Sequence, residues 1–129
     1  MFEKLEISRM AHAMASHALT RQAAISRNVA NADTPGYKAV DTAPFAASYA
    51  EQGGLQPRAT RAGHLTTPET APRLALVPRQ TPGDQSPNGN TVSLETEMMN
   101  AAQVRQQYDL ALAISKTTTS ILRTSLGRR

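Results

Sequence analysis

The feature that most restricts the fold of this chain is the segment from residue 28 to residue 38, which reads Asn-Val-Ala-Asn-Ala-Asp-Thr-Pro-Gly-Tyr-Lys. Pro35 disfavours the helical conformation at Thr34, the residue before it. The sequence Thr34-Pro35-Gly36-Tyr37 suits a type II turn, because proline fixes φ at the second position and glycine accepts a positive φ at the third. The segment therefore ends any helix before it and divides the chain.

Residues 5 to 32, before this turn, are predicted to form an amphipathic helix. Apolar side chains recur there at steps of three and four residues, which is the spacing of one helix face. Many of these residues are small, so a second helix can approach closely. The apolar face is formed by Ile7, Met10, Ala11, Met14, Ala15, Ala18, Ile25 and Val29.

Residues 40 to 92, after the turn, contain seven of the eight prolines and five of the seven glycines. This composition excludes helix over most of the segment and predicts an irregular insertion, partly extended or mobile. Short strands are predicted near Leu65 and over Leu74–Val77, so the insertion has room for one small hairpin.

A second long helix is predicted from Ser93 to about residue 126. Ser93 suits the N-cap, Glu95 and Glu97 place negative charge in the first turn, and Gly127 suits the position after the last turn. Its apolar face is formed by Leu94, Met98, Ala101, Val104, Tyr108, Ala111, Leu112, Ile121, Leu122 and Leu126.

These elements predict a mainly α fold in which the two terminal helices pack as an antiparallel, coiled-coil-like pair. Residues 1–39 hold the first helix and the turn, 40–92 the insertion, and 93–129 the second helix; the first and last parts together form one assembly domain. The apolar residues are 40% of the chain, many of them alanine, and five are aromatic. Because alanine buries little area and a lone helix pair leaves one flank apolar, we expect the chain to assemble with other chains.

No catalytic, cofactor or metal site is predicted. His12 and His17 lie about 140° apart around a helix and do not form a ligand pair, and His64 stands alone. The chain has no cysteine, no phosphate-binding glycine loop and no nucleophile motif. The residue types therefore indicate a protein that is not an enzyme.

The charge and the N-terminus exclude other classes. The net charge of +4 is scattered along the chain, whereas nucleic-acid-binding proteins concentrate basic residues on one face. The N-terminus does not read as a secretory signal peptide, and no run of apolar residues is long enough to span a membrane. We expect no nucleic-acid partner and no lipid-spanning segment.

Two motifs resemble those of the bacterial flagellar rod, hook and hook-associated proteins. The segment 28–38 is similar to their A-N-N-L-A-N-x-x-T-P-G-Y-K string, although Val29 replaces the commoner leucine and Arg27 departs from the usual small or polar residue. The segment 89–98 is similar to the G-N-x-V-x-L-x-x-E-M string that opens the last helix of the proximal rod proteins. The matching turn residues are Asn28, Asn31, Thr34, Pro35, Gly36, Tyr37 and Lys38.

The resemblance implies a structural subunit of the flagellar basal-body rod, exported through the flagellar type III channel without a cleaved signal and needed for motility. It implies, as partners, other rod subunits, the rod–ring adaptor protein, the inner-membrane (MS) ring and the export gate, within a higher-order helical assembly. The side chains expected to make the assembly contacts are Ile7, Met10, Met14, Ala18, Ile25, Val29, Leu94, Met98, Val104, Tyr108, Leu112, Leu122 and Leu126.

Two other functions stay open at this point. A basic helical protein that associates with nucleic acid would bind duplex DNA with a steep salt dependence. A cytoplasmic helical adaptor or export chaperone would use the same apolar faces on a client protein.

Overall fold

The computed structural model describes residues 2–52, 76–79 and 86–127. In chain order these residues form helix α1 (Phe2–Ala30), strand β1 (Val40–Thr42), helix α2 (Phe45–Gln52), strand β2 (Leu76–Pro78) and helix α3 (Leu94–Ser125). The protein is therefore mainly helical, with a small two-stranded sheet between its long terminal helices, as the sequence predicts.

Helix α1 is 29 residues long and starts a few residues earlier than its predicted limit. It ends at Ala30, and two further turns follow, in which Asn31 N donates to Asn28 O at 3.0 Å and Ala32 N donates to Val29 O at 3.2 Å. The side chain of Asn31 also donates to Arg27 O at 2.8 Å, and such local side-chain bonds compete with helix continuation, which places the helix end before Pro35.

Helix α3 has the predicted end signals. Ser93 is the N-cap, and its side chain accepts a long hydrogen bond from Thr96 N at 3.5 Å. After Ser125, Leu126 N donates to Leu122 O, and Gly127 adopts a φ of 65°. A glycine in this left-handed conformation is the usual residue after a helix C-terminus.

The core lies between α1 and α3. Ala18, Ile25 and Val104 are buried there, and Ala101 and Tyr108 pack against them. Buried residues recur every seven positions along each helix. They are Ala11, Ala18 and Ile25 in α1, and Glu97, Val104, Ala111 and Thr118 in α3; His17, Ala24 and Asn28 of α1 are buried as well.

Strands β1 and β2 pair antiparallel, with Val40 opposite Pro78 and Thr42 opposite Leu76. Strand β2 lies in the apolar run for which a strand is predicted, shifted by one residue at its end; Leu74 and the stretch near Leu65 lie outside the described residues. The pairing partner, β1, was not predicted, because a three-residue strand has too short a pattern to detect.

Helix α2 is a finding that the sequence reasoning missed. The proline-rich composition of the insertion hid it, although the eight residues of the helix contain no proline. The Pro44 carbonyl accepts from both Ala47 N and Ser48 N at 3.1 Å. The Phe45 ring meets the ring of the buried His17 edge to face, with centroids 5.6 Å apart, which packs α2 against α1.

Candidate functional site

The turn predicted at Thr34–Tyr37 is present. Gly36 has a φ of 71°, and Tyr37 N donates to Thr34 O at 3.3 Å, which closes the turn. The Gly36 N–H points away from the turn and donates to Asn88 O at 3.0 Å. The turn is thus held by the segment that precedes α3.

Asn28, near the end of α1, is fully buried and uses every hydrogen-bonding position of its side-chain amide. Its Nδ2 donates to Val40 O at 2.8 Å and to Glu97 Oε2 at 3.1 Å. Its Oδ1 accepts from Val40 N at 3.0 Å and from the Tyr37 hydroxyl at 3.3 Å. A single side chain therefore joins α1 to the turn, to β1 and to α3.

Glu97 is the buried carboxylate of this junction, with a side-chain exposure of 0%. Its Oε1 pairs with the guanidinium of Arg79, while Oε2 accepts from Asn28. A buried carboxylate needs such partners, because losing water without replacement bonds costs several kcal/mol. Arg79 also donates its backbone N–H to Ala39 O at 2.7 Å, so β2 is fixed at the same place.

Asn90 is the second buried asparagine, with 1% exposure. Its Nδ2 lies 2.9, 2.7 and 2.8 Å from the carbonyl oxygens of Asn31, Ala32 and Thr34. Its Oδ1 accepts from Val92 N at 2.7 Å. The carbonyls just beyond a helix end lack helical partners, and Asn90 supplies a donor for them from the other half of the chain.

We call Asn28, Tyr37, Arg79, Asn90 and Glu97 the polar clasp. Further bonds run beside it: Thr91 N donates to Tyr37 O at 3.1 Å, and Lys38 Nζ donates to Gly89 O at 3.1 Å. The two sequence motifs, separated by 50 residues of chain, are thus two sides of one hydrogen-bonded junction.

The other turn residues lie at the edge of the clasp. Asn31 Nδ2 donates to Arg27 O at 2.8 Å, a bond within its own helix end. Thr34 Oγ1 donates to Asn31 Oδ1 at 3.3 Å, and Pro35 is exposed. These residues shape the turn, whereas Asn28 and Tyr37 connect it to the rest of the protein.

The thirteen side chains expected to make assembly contacts fall into three groups. Three are buried between the helices and are therefore occupied within the single chain. Three are half-buried, and seven are exposed. The buried residues are Ala18, Ile25 and Val104; the half-buried residues are Met14, Tyr108 and Leu122; the exposed residues are Ile7, Met10, Val29, Leu94, Met98, Leu112 and Leu126.

The core-facing side of α3 differs from the predicted apolar face at the start of the helix. Glu97, and not Met98, occupies the core-facing position at the start of α3, while Met98 is 72% exposed. The seven-residue spacing with Val104 selects residue 97 as the inward position, and the charge of Glu97 hid this in the sequence. Four further exposed apolar residues of the long helices, Leu19, Met99, Leu110 and Ile121, were not among the predicted contacts.

An open groove of about 370 Å³ lies where the two long helices meet. Its lining is mainly apolar and includes an alanine from each helix. The groove is lined by Ala18, Leu19, Gln22, Ala101, Val104, Arg105 and Tyr108.

Among residues 2–52, 76–79 and 86–127, no group of three or more acidic or histidine side chains could hold a metal ion. The buried His17 donates from Nε2 to Ala43 O at 2.8 Å, which fits a structural role. In that same part of the chain, no helix has the length and apolarity needed to cross a membrane.

Sequence reasoning missed three residues of the clasp. Arg79 carries no signal, because it lies in a proline-rich stretch. Asn90 and Glu97 belong to the second motif, but their local context indicates only a loop residue and an acidic residue in the first turn of a helix. Spatial proximity to residue 28, which gives them their role, is not encoded in any local pattern.

Comparisons with known proteins agree with the two motifs. The family model described as flagella basal body rod protein matches residues 13–38. The flagellar basal body rod protein FlgB of Escherichia coli (strain K12) is 34% identical over 101 residues, which cover 72% of each chain. FlgB of Cereibacter sphaeroides is 35% identical over 108 residues, or 83% of each chain. FlgB of Agrobacterium fabrum is 28% identical over 122 residues, or 89% of this chain and 88% of its relative.

Proposed function

The chain belongs to the family of flagellar basal body rod proteins, and from that premise we propose how its two halves build a rod. It is a structural subunit of the proximal rod of the flagellar basal body, it serves motility, and it is not an enzyme. The observation that carries the proposal is the polar clasp, in which the two motifs of the family bind each other.

Helices α1 and α3 form an antiparallel, coiled-coil-like pair in this proposal. The order of contacts supports it, because Asn28 near the end of α1 bonds to Glu97 at the start of α3, while Ala18 lies with Val104 and Tyr108 further along. The seven-residue recurrence of buried residues in both helices agrees with this packing.

The exposed apolar residues of the pair are the contacts between subunits. Large apolar side chains such as Met98 and Leu126, 72% and 73% exposed, gain most from burial by a neighbour. Residues 1–39 and 93–129 act together as the assembly domain, and residues 40–92 form the insertion. The clasp joins all three parts.

The neighbours include other flagellar rod components. We further assign the rod–ring adaptor protein, the MS ring and the export gate as partners of the proximal end. The subunit reaches the periplasmic side of the inner-membrane ring without a cleaved signal peptide, and its location is the basal body. The net positive charge is spread over the chain and gives no reason to add a nucleic-acid partner.

In this proposal, assembly is coupled to the folding of the outer parts of the two long helices, but not to the formation of the clasp. The clasp buries its polar groups within one chain, so it can form before assembly. The outer parts of α1 and α3 keep large apolar side chains exposed and gain stability when neighbours cover them. Loose helix ends also suit passage through a narrow export channel.

The test is deletion of the gene in its own host, followed by electron cryotomography of basal bodies. Missing rods above an intact inner-membrane ring, restored by the wild-type gene, are expected. Complete flagella in the deletion strain would contradict the assignment. Retention of the protein in the cytoplasm would favour the adaptor or chaperone function, and DNA binding with a steep salt dependence would favour the nucleic-acid function.

A point variant tests whether the exposed apolar face of α3 makes contacts between subunits. Leu112 is exposed on α3, so Leu112→Glu is expected to stop incorporation into the rod while leaving the chain folded and exported. Ile25→Glu does not serve as well, because Ile25 is 3% exposed and lies between the helices of its own chain. Gln106→Glu is the matched control, because it adds the same single negative charge at an exposed position about 120° around α3 from Leu112.

A further inference from the structure

The segment that holds the turn contains a chemically reactive pair, Asn88–Gly89, the one Asn-Gly sequence in the chain. Asn88 is exposed, and no side chain on Gly89 hinders attack on its neighbour. The backbone nitrogen of a glycine can attack the side-chain amide of a preceding asparagine, a reaction that contributes to the thermal lability of asparagine.

We propose that Asn88 is a deamidation site that the folded turn at residues 86–90 protects, and whose conversion to isoaspartate opens the clasp. Gly89 N, after losing its proton, forms a bond to Asn88 Cγ. The bond from Cγ to Nδ2 breaks, and ammonia leaves with that proton. Water then opens the cyclic imide at one of its two carbonyl carbons, giving aspartate or isoaspartate, and no oxidant or reductant takes part.

The folded geometry opposes the first step. Gly89 N–H donates to Ser86 O at 2.8 Å, so the attacking nitrogen is engaged in the turn. Asn88 Oδ1 accepts from Asn90 N at 3.1 Å, so the side-chain amide is also engaged in a bond within the turn. Attack therefore requires the turn at residues 86–90 to open, and its rate falls with the fraction of time spent open.

The two products differ in their effect. Aspartate keeps the backbone and a side-chain oxygen, so the bonds from Gly36 N and Asn90 N to residue 88 have acceptors in place. Isoaspartate routes the chain through Cβ, and the former backbone carbonyl becomes a free carboxylate. The added backbone carbon displaces Asn90, whose amide bonds the carbonyls of Ala32 and Thr34 at 2.7 and 2.8 Å.

The first experiment measures the reaction itself. The full chain is incubated in mildly alkaline buffer with and without denaturing urea, and isoaspartate is quantified in the tryptic peptide of residues 80–105. Asn90 and Asn100 in the same peptide, followed by threonine and alanine, are internal controls. We expect modification at Asn88 alone, slowed in the folded chain by about tenfold or more. Equal rates in the two conditions, or an unmodified Asn88 in urea, would overturn the proposal.

The second experiment measures the consequence for the clasp. Amide hydrogen exchange is compared among the unmodified chain, the purified isoaspartate form and the variant Asn88→Asp. We expect the Gly36 and Thr91 amides to lose protection in the isoaspartate form and to keep it in Asn88→Asp. Full protection in the isoaspartate form would overturn the claim that isoaspartate opens the clasp. Loss of protection in Asn88→Asp would show that charge, and not the added backbone carbon, is responsible. Neither experiment depends on rod assembly.

Discussion

The polar clasp and the outer faces of the long helices differ in which atoms they bury. The clasp buries amide, carboxylate and backbone groups, each with a named partner in the same chain. The helix faces leave large apolar side chains such as Met98 and Leu126 exposed. Hydrogen bonds need defined angles, whereas apolar contact needs area. The clasp therefore fixes geometry within the subunit, and the helix faces provide adhesion between subunits.

The largest expected effect comes from removing the central amide of the clasp. Asn28→Ala leaves Val40 N, Val40 O and Glu97 Oε2 without their bonds in a buried site. Unsatisfied buried groups cost ~1–3 kcal/mol each, so we expect a loss of about 3 kcal/mol in the free energy of unfolding, measured by urea denaturation. Asn31→Ala is the control, because the Asn31 amide bonds locally to Arg27 O. An equal loss of unfolding free energy in Asn31→Ala would show that Asn28 has no special role in the clasp.

A matched pair of variants compares the contributions of Asn88 and Asn90, the two asparagines before α3, to stability. Asn90→Asp places carboxylate oxygen against the carbonyls of Asn31, Ala32 and Thr34, where the structure has a donor. We expect a loss of about 2 kcal/mol. Asn88→Asp keeps the acceptor for Asn90 N and should cost ~0.5 kcal/mol or less. Similar losses for both would mean that negative charge, and not the lost donor, disturbs the clasp.

Backbone strain at the turn gives the next effect. A Cβ added to Gly36 meets nothing within 4 Å, so Gly36→Ala carries only the cost of a φ near 71°. That cost is ~1–2 kcal/mol for a residue other than glycine, and Gly36→Asn should cost less, because asparagine tolerates this conformation. Gly127→Ala has similar strain (φ 65°) at the exposed end of α3 and should change the global unfolding free energy less.

The smallest effect on the folded subunit is expected from the helix face. Leu112→Glu should change the unfolding free energy by ~0.5 kcal/mol or less, because Leu112 is exposed. It should nevertheless abolish spreading in soft agar, whereas Gln106→Glu should spread normally. Normal motility of the Leu112 variant would show that this side of α3 is not a contact, and it would weaken the contrast with the clasp.

The sequence predicts the parts of the fold that depend on local chemistry. Both long helices, the N-cap at Ser93, the positive φ at Gly36 and the glycine after α3 follow from residue types at defined positions. The strand β2 was predicted as an apolar run. Local patterns fail where the partner is distant, since the role of Glu97 depends on Asn28 and Arg79, which lie 69 and 18 residues away.

Strand β1 and strand β2 bring both ends of their connecting segment to one place. Val40 lies opposite Pro78, and both strands are fastened beside the end of α1 by Asn28 and Arg79. The entropy of closing a flexible connection rises only slowly with its length, by ~0.6 kcal/mol per doubling. Because this cost depends so weakly on length, the paired strands accept connections of different length while α1 and α3 keep their alignment.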